Sequence, residues 1–187
     1  MKRVILVTSP PASGKTYVTR ALAKAMPNCV YLDKDTLIVL SKQIFQVANE
    51  KYDRSSQFFE DNIRNPEYDC VMELAFEALD YNDTVFINAP FTREIRDAEY
   101  IKGLRDKLIK KEAILEVVWV ETDLEVIHQR MILRNSDRDT WKLTHWEEYV
   151  EKQNYDAPSI ENLIVFYNSS EEEFDNSIKD VTARLSK

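Results

Sequence analysis

The sequence predicts a single three-layer α/β domain over residues 1–187, built on a five-stranded parallel sheet with helices on both faces. Short apolar segments alternate with amphipathic helical segments along the whole chain, and this alternation is typical of α/β folds. A helix between each pair of successive strands requires a parallel sheet. The 187 residues are 44% apolar, which is enough for one sizeable core.

The predicted elements follow from local patterns. The strand candidates are short, apolar and bounded by polar or turn residues, and they lie at 3–8, 29–32, 84–87, 114–120 and 163–167. The main helix candidates have apolar residues three and four positions apart, and they lie at 17–26, 36–49, 70–79, 92–111 and from the cap at 122 to about 134. Two more helices are predicted to begin near Thr144 and Ser169. The stretch 50–66 is polar and aromatic and carries no clear pattern.

The sequence also predicts the apolar face of one helix and the caps of three others. The helix over 36–49 places four aliphatic side chains on one face, namely Leu37, Leu40, Ile44 and Val47. Three helix starts carry a Ser or Thr followed three residues later by Glu, which predicts reciprocal capping. These pairs are Thr122 with Glu125, Thr144 with Glu147, and Ser169 with Glu172.

Residues 9–16 separate the first strand from the first helix and read S-P-P-A-S-G-K-T. A strand, a tight loop ending in G-K-T and then a helix form the layout of a phosphate-binding P-loop. Loop N–H groups and the helix N-terminus converge there and favour a polyanion. Lys15 can follow the β- and γ-phosphates, and the Thr16 hydroxyl can ligate Mg²⁺. The predicted nucleotide-binding residues are Ser9, Pro10, Pro11, Ala12, Ser13, Gly14, Lys15 and Thr16.

The loop departs from the usual pattern G-x-x-x-x-G-K-S/T at its first position, where this chain has Ser9. Ala12 also stands where many such loops have glycine. The alternative interpretation is a chance G-K-T at the start of a helix. The order of strand, loop and helix favours the P-loop.

Two acidic residues, Asp33 and Asp35, follow the second strand. Ligands of open α/β sheets bind beyond the C-terminal ends of strands, so these carboxylates point toward the P-loop. One of them could accept a proton from a hydroxyl group, and Asp33 could instead hold a Mg²⁺-bound water. The alternative is helix capping, because Asp35 directly precedes a helical segment.

The P-loop and the run D-K-D-T-L at 33–37 together resemble the small P-loop kinases. Within that group the run is closest to the zeta-toxin, chloramphenicol phosphotransferase and polynucleotide kinase branch. The resemblance implies a P-loop NTPase fold with strand order 2-3-1-4-5, ATP and Mg²⁺ as cofactors, and an acceptor-binding region at about 36–68. It also implies that an aspartate after the second strand acts as the base; Asp35 is the better match and Asp33 the second.

Three arginines, Arg130, Arg134 and Arg138, are spaced by four after the fourth strand. Small P-loop kinases have a lid there whose arginines close over the ATP phosphates, and the segment at about 130–142 resembles it. Guanidinium groups suit this work because they bind phosphate oxygens bidentately, and Arg134 is expected to act with Lys15 in catalysis. The alternative is a solvated helix face, with arginines paired to Asp137, Asp139 or Glu125.

Asn88 ends the third strand, where a hydrolytic P-loop ATPase normally has an acidic residue.

The aromatic residues of the acceptor-binding region could line a substrate pocket, and core packing is the alternative. They are Tyr52, Phe58, Phe59 and Tyr68.

The function expected from these features is an ATP- and Mg²⁺-dependent kinase that phosphorylates a hydroxyl of a small molecule. One alternative is a nucleotide-binding regulatory or toxin-like module without turnover, and another is a polynucleotide 5′-kinase. The formal charge of −8, spread along the chain, argues against nucleic acid or an anionic membrane as partner. The lone cysteines and the lack of a signal peptide predict a cytoplasmic protein with reduced, mostly buried thiols. The oligomeric state is open.

Overall fold

A computed structural model of the chain describes residues 1–136 and 139–186. It contains one parallel sheet in the order β2-β3-β1-β4-β5, with every neighbouring pair parallel. The strands are β1 (Lys2–Thr8), β2 (Cys29–Asp33), β3 (Thr84–Asn88), β4 (Ala113–Glu121) and β5 (Ile164–Tyr167). The predicted fold class and strand order are therefore confirmed.

The central position of β1 in the sheet explains why its sequence is continuously apolar. The strand pairs with β3 on one side and β4 on the other, so both of its edges and both of its faces are covered. Val4 and Leu6 pack into the hydrophobic cluster on one face of the sheet, and Ile5 and Val7 pack into the cluster on the other. All four side chains are fully buried, and each such burial stabilises the fold by ~1.5–3 kcal/mol.

The helices complete the three layers. The first and last helices, Lys15–Ala25 and Glu171–Leu185, cover one face of the sheet, and the helices Asn65–Ala78 and Ala98–Ile109 cover the other. No helix of the described residues is long and apolar enough to cross a membrane. The helices are α1 (Lys15–Ala25), α2 (Ile38–Val47), α3 (Asn65–Ala78), α4 (Ala98–Ile109), α5 (Leu124–Arg134), α6 (Thr140–Thr144), α7 (Trp146–Lys152) and α8 (Glu171–Leu185).

Helix α2 does not bury the aliphatic face that its sequence suggests. Leu40 and Val47 are 63% and 78% exposed, whereas Ser41 and Phe45 are buried. The Ser41 hydroxyl donates a hydrogen bond to the buried carboxylate of Glu67, and Phe45 joins an apolar cluster. A polar contact and an aromatic contact thus decide which face of α2 turns inward.

The stretch that carried no pattern is helical from Gln57 onward. A short helical turn (Gln57–Phe59) and a π-helical turn (Glu60–Arg64) lead directly into α3. Phe59 is buried and packs with Phe45 and the partly buried Phe58, so Phe58 and Phe59 form core packing, as the alternative interpretation held. The aromatic ring of Tyr68 is likewise buried, against Phe91. Tyr52 is 41% exposed.

The predicted helix over 92–111 begins only at Ala98. Asp97 has an extended backbone and its carboxylate accepts hydrogen bonds from the N–H groups of Glu99 and Tyr100, which makes it the N-cap. The residues before it form a separate 3₁₀ turn, Glu94–Arg96. A good capping residue therefore divides a segment whose apolar spacing is continuous.

The predicted capping boxes are wrong, because the hydroxyl groups concerned bind other partners or the helix begins one residue later. The hydroxyl of Thr144 donates to carbonyl groups of the preceding turn, and that of Thr122 donates to the carbonyl of Ser13. The last helix is capped by Ser170, whose hydroxyl accepts from the N–H three residues on, and not by Ser169. Both cysteines are free thiols; Cys70 is exposed, so its predicted burial is wrong.

Candidate active site

The loop at 9–14 depends on two residues with a left-handed backbone. Gly14, the N-cap of α1, has φ of +85°, and Ala12 has φ of +65°. A Cβ on Gly14 would lie 2.4 Å from Nδ2 of Asn168, so glycine is required there by conformation and by space. Ala12 is tolerated at a cost of ~1–2 kcal/mol, which explains why many related loops have glycine at that position.

Asn88 orients the two residues that were predicted to hold phosphate and metal. The ammonium group of Lys15 donates a hydrogen bond of 2.7 Å to Asn88 Oδ1. The amide Nδ2 of Asn88 donates to the hydroxyl of Thr16 at 3.1 Å. Lysine can only donate, so the amide oxygen must face it. The side chain of Asn88, buried at the end of β3, therefore fixes the positions of the Lys15 and Thr16 side chains. The sequence alone did not indicate this role.

The charge of Lys15 is sensitive to its surroundings. Burial lowers the pKa of Lys15 to about 8, although the nearby carboxylates of Asp35 and Asp33 act in the opposite direction. The group is therefore largely protonated at neutral pH. An anionic phosphate beside it would raise the pKa again, because opposite charges stabilise the protonated form.

The two aspartates after β2 have different environments. Asp33 accepts hydrogen bonds from the backbone N–H of Asp35 at 3.0 Å and from the hydroxyl of Tyr31 at 2.8 Å. Asp33 is therefore the cap of the 3₁₀ turn Lys34–Leu37, and the alternative that Asp35 is a helix cap is wrong. The side chain of Asp35 is 61% exposed and lies 3.8 Å from the ammonium group of Lys34.

A cavity of about 570 Å³ lies against the loop. It brings Asp35 together with the predicted lid residues Arg130 and Arg134, but Asp33 and Ser13 do not line it. Arg138 lies outside the described residues. The cavity is lined by Ser9, Pro10, Pro11, Ala12, Gly14, Lys15, Thr16, Tyr17, Asp35, Pro90, Thr92, Arg130, Arg134, Lys142 and Gln153.

The guanidinium group of Arg130 is hydrogen-bonded to two backbone carbonyl groups. It donates to the carbonyl oxygen of Ser13 at 3.3 Å and to that of Asn168 at 2.8 Å. Burial lowers its pKa. The side chain still lines the cavity, so it both supports the loop and contributes positive charge to the site.

Arg134 and Lys142 share one buried carboxylate. Arg134 donates two hydrogen bonds to Asp139 Oδ2, and Lys142 donates to Asp139 Oδ1 at 3.2 Å. Burial raises the pKa of Asp139, but these hydrogen bonds outweigh it and leave the pKa below its usual range. The pairing of an arginine with Asp139 that the alternative interpretation named is present, but Asp139 is buried and not on a solvated face, and both cations also line the cavity.

Sequence reasoning did not place Lys142, Thr122 or Asn168 at the site, and it predicted Thr122 only as a helix cap. Lys142 was covered only by the bounds of the predicted lid. Thr122 and Asn168 both donate to the carbonyl oxygen of Ser13, from the ends of β4 and β5. Neither has a motif that would reveal a partner so distant in the sequence.

The described residues at this site offer few protein ligands for a magnesium ion. Within residues 1–136 and 139–186, no group of three or more His, Cys, Asp or Glu side chains could hold a metal. The hydroxyl of Thr16 and the exposed carboxylate of Asp35 are oxygen ligands of the kind that Mg²⁺ accepts. Because this ion is usually held by one or two protein groups and the phosphates of a nucleotide, the residues present fit an ion that arrives with its nucleotide.

Comparisons with known proteins agree with this architecture. A family model described as "AAA domain" matches residues 4–154. No curated protein matches the chain significantly.

Solved structures show the same fold at low sequence identity. A putative kinase from Chloroflexus aurantiacus is 17% identical with a TM-score of 0.70, and the match covers 99% of this chain and 97% of that one. A sugar kinase from Janibacter is 16% identical with a TM-score of 0.62, covering 100% and 95%. The APS kinase of Mycobacterium tuberculosis, solved with AMPPNP and APS, is 17% identical with a TM-score of 0.57, covering 100% and 98%. The chain therefore has the fold of P-loop kinases.

Proposed function

The chain belongs to the AAA-domain family, and from this premise we propose that it is an ATP- and Mg²⁺-dependent kinase that transfers the γ-phosphoryl group to a hydroxyl of a small molecule. One observation carries the proposal. The phosphate loop, the Lys15 ammonium group, the carboxylate of Asp35 and the lid cations Arg134 and Lys142 line a single cavity. Phosphoryl transfer needs this set of groups and little covalent chemistry from the protein.

Each group has a role that follows from its position. The loop N–H groups and Lys15 would bind the β- and γ-phosphates, and the hydroxyl of Thr16 would be a ligand for the magnesium ion. When bound, this ion neutralises charge on the phosphates. Arg134 and Lys142 stabilise negative charge on the transferred group, and electrostatic stabilisation of this kind usually contributes most to the rate enhancement.

We assign the base to Asp35, which would accept the proton of the acceptor hydroxyl. Its exposed carboxylate lines the cavity, whereas both oxygens of Asp33 already accept hydrogen bonds. Asp33 positions Asp35 through the backbone. Its predicted role in holding Mg²⁺ through water stays a separate prediction.

A small acceptor is supported by the similar structures and by charge. Two of them are described as a sugar kinase and an APS kinase. A net charge of −8 opposes the binding of a polynucleotide backbone. Within the P-loop kinases we place the chain nearest the zeta-toxin, chloramphenicol phosphotransferase and polynucleotide kinase branch, on the D-K-D-T-L run alone.

The test is transfer of radiolabelled γ-phosphate from ATP to a panel of nucleosides, sugars, antibiotics and short oligonucleotides. Lys15→Ala should abolish transfer because it removes charge stabilisation at the phosphates. The matched control is Lys24→Ala, an exposed lysine on the same helix.

Full activity of Lys15→Ala would refute the proposed phosphate site. If the wild-type protein binds Mg·ATP in a thermal-shift series but labels no acceptor, the nucleotide-binding regulatory module is the better assignment. Labelling of oligonucleotides alone would favour the polynucleotide 5′-kinase.

A further inference from the structure

The carbonyl oxygen of Ser13 is hydrogen-bonded by three side chains from distant parts of the chain. Nδ2 of Asn168 donates to it at 2.7 Å, the hydroxyl of Thr122 at 3.0 Å and the guanidinium of Arg130 at 3.3 Å. A carbonyl oxygen has two lone pairs, so this acceptor is saturated. Such a contact holds one peptide group of the loop in a single orientation.

The peptide concerned joins Ser13 to Gly14. A trans peptide is planar, so its C=O and N–H point in opposite directions. With the Ser13 oxygen turned toward Asn168 and Thr122, the N–H of Gly14 must point away from them. Among the backbone hydrogen bonds of the described loops and turns, none has this N–H as its donor, and Gly14 lines the cavity.

We infer that Asn168 is a positioning residue that, together with Thr122, directs the N–H of Gly14 toward the nucleotide phosphate. The inference rests on the proposed function, because it needs an anion in the cavity. It concerns residues at the ends of β4 and β5, outside the phosphate loop itself. Neither side chain touches the phosphate; each acts through the Ser13–Gly14 peptide.

Asn168 is itself held firmly enough to do this. Its side chain is buried, its backbone N–H donates to the carbonyl of Glu121 at 2.9 Å, and its own carbonyl accepts from Arg130 at 2.8 Å. Its amide lies so close to Gly14 that a Cβ there would meet it at 2.4 Å. Asn168 and the loop are thus packed directly against each other.

The competing interpretation is that Asn168 only fills space, and the two interpretations differ in what a substitution changes. Loss of a space-filling side chain lowers thermal stability and leaves the affinity of the folded protein for nucleotide unchanged. Loss of a positioning donor frees the Ser13–Gly14 peptide to rotate. Nucleotide affinity and the environment of the Gly14 amide then both change.

The experiment compares Asn168→Ala and Thr122→Val with the wild-type protein. Thr122→Val keeps the shape of the side chain and removes only the hydroxyl, so it serves if Asn168→Ala folds poorly. Binding of Mg·AMPPNP is measured by calorimetry, the melting temperature by circular dichroism, and the Gly14 amide resonance by NMR of the nucleotide-free protein. The matched control is Asn176→Ala, an exposed asparagine on α8.

We expect the dissociation constant to rise about tenfold in Asn168→Ala and about threefold in Thr122→Val. In the double variant the dissociation constant should rise by less than the product of the two single-variant increases, because both donors bind the same carbonyl group. The Gly14 resonance should move in both variants and stay in place in Asn176→Ala. Thr122→Ser, which restores the hydroxyl, should bind more tightly than Thr122→Val.

Folded variants with wild-type affinity and an unmoved Gly14 resonance would overturn the inference. Its failure is distinct from failure of the kinase proposal. A protein that binds Mg·AMPPNP and responds to these substitutions, yet phosphorylates no acceptor, would refute the kinase and retain the role of Asn168. A wild-type protein that does not bind Mg·AMPPNP would overturn both.

Discussion

Replacing Glu67 with glutamine tests a buried ion-pair network beside the proposed base. Glu67 lies 2.6 Å from the ammonium group of Lys34 and accepts two hydrogen bonds of 2.7 Å from Arg54. The side chains of Glu67 and Lys34 are each only 4% exposed, and the hydroxyl of Ser41 completes the network. Because Lys34 directly precedes Asp35, the network ties α2 and α3 to the segment that carries the base.

The size of the effect follows from the pKa of Glu67. Burial raises this pKa, but the hydrogen bonds from Arg54, Lys34 and Ser41 outweigh it and hold it at about 2, against 4.5 ordinarily. That difference corresponds to about 3 kcal/mol of folding free energy. Since the folded-state pKa is the lower one, the stabilisation is complete above the unfolded pKa and is lost as the pH falls toward 2. At pH 3 about 2 kcal/mol of it has gone.

Urea unfolding followed by circular dichroism at pH 7, 5, 4 and 3 measures the effect. We expect Glu67→Gln to lower the free energy of unfolding by about 3 kcal/mol at pH 7, and by only about 1 kcal/mol at pH 3. The control is Asp80→Asn, whose carboxylate pairs with Lys111 on the surface and should contribute little. A wild-type-to-variant difference that is the same at pH 7 and pH 3 would refute the reasoning, because the cost would then come from shape and not from charge.

Three further substitutions test the roles of acidic residues at the site. Asp35→Asn should lower the transfer rate by ~10²–10⁴-fold and leave ATP binding intact, as expected for loss of a general base; normal turnover would remove Asp35 from that role. Asp33→Asn should raise the Mg²⁺ concentration needed for half-maximal rate more than it slows the saturated enzyme, and a magnesium titration that overlays the wild-type curve would exclude the predicted metal role. Asp139→Asn should release Arg134 and Lys142 from their shared anchor and raise the KM for ATP roughly tenfold, whereas unchanged steady-state kinetics would mean that these two cations do not act on the nucleotide.

The predictable part of the site was the part encoded by neighbouring residues. The phosphate loop was visible because a strand, G-K-T and a helix follow one another within residues 3–26. The position of Asp35 followed from the rule that strand ends of a parallel sheet share one edge. The choice between Asp33 and Asp35 could not be made in the same way, because it depends on which carboxylate the 3₁₀ turn uses as its cap.

Elements that depend on distant partners were predicted less well. The apolar spacing of α2 favoured burial of Leu40 and Val47, but the helix is turned by Ser41 and Phe45, whose partners lie farther along the chain in α3 and the segment before it. Thr122 had the local pattern of a helix cap, and its hydroxyl instead reaches the phosphate loop. In both cases a tertiary contact is worth more than the local preference, which is only ~1 kcal/mol.

The sequence by itself determined the parallel sheet, the phosphate loop with Lys15 and Thr16, and the placement of Asp35 at its rim, since period and adjacency are properties of the chain. Only the tertiary structure decided how that loop is held. The donors to the Ser13 carbonyl lie 109, 117 and 155 residues along the chain, and Asn88 lies 73 residues from Lys15. A hydrogen bond acts over about 3 Å, and its two partners need not share any local sequence pattern. These contacts therefore form only once the sheet has brought the ends of its strands together.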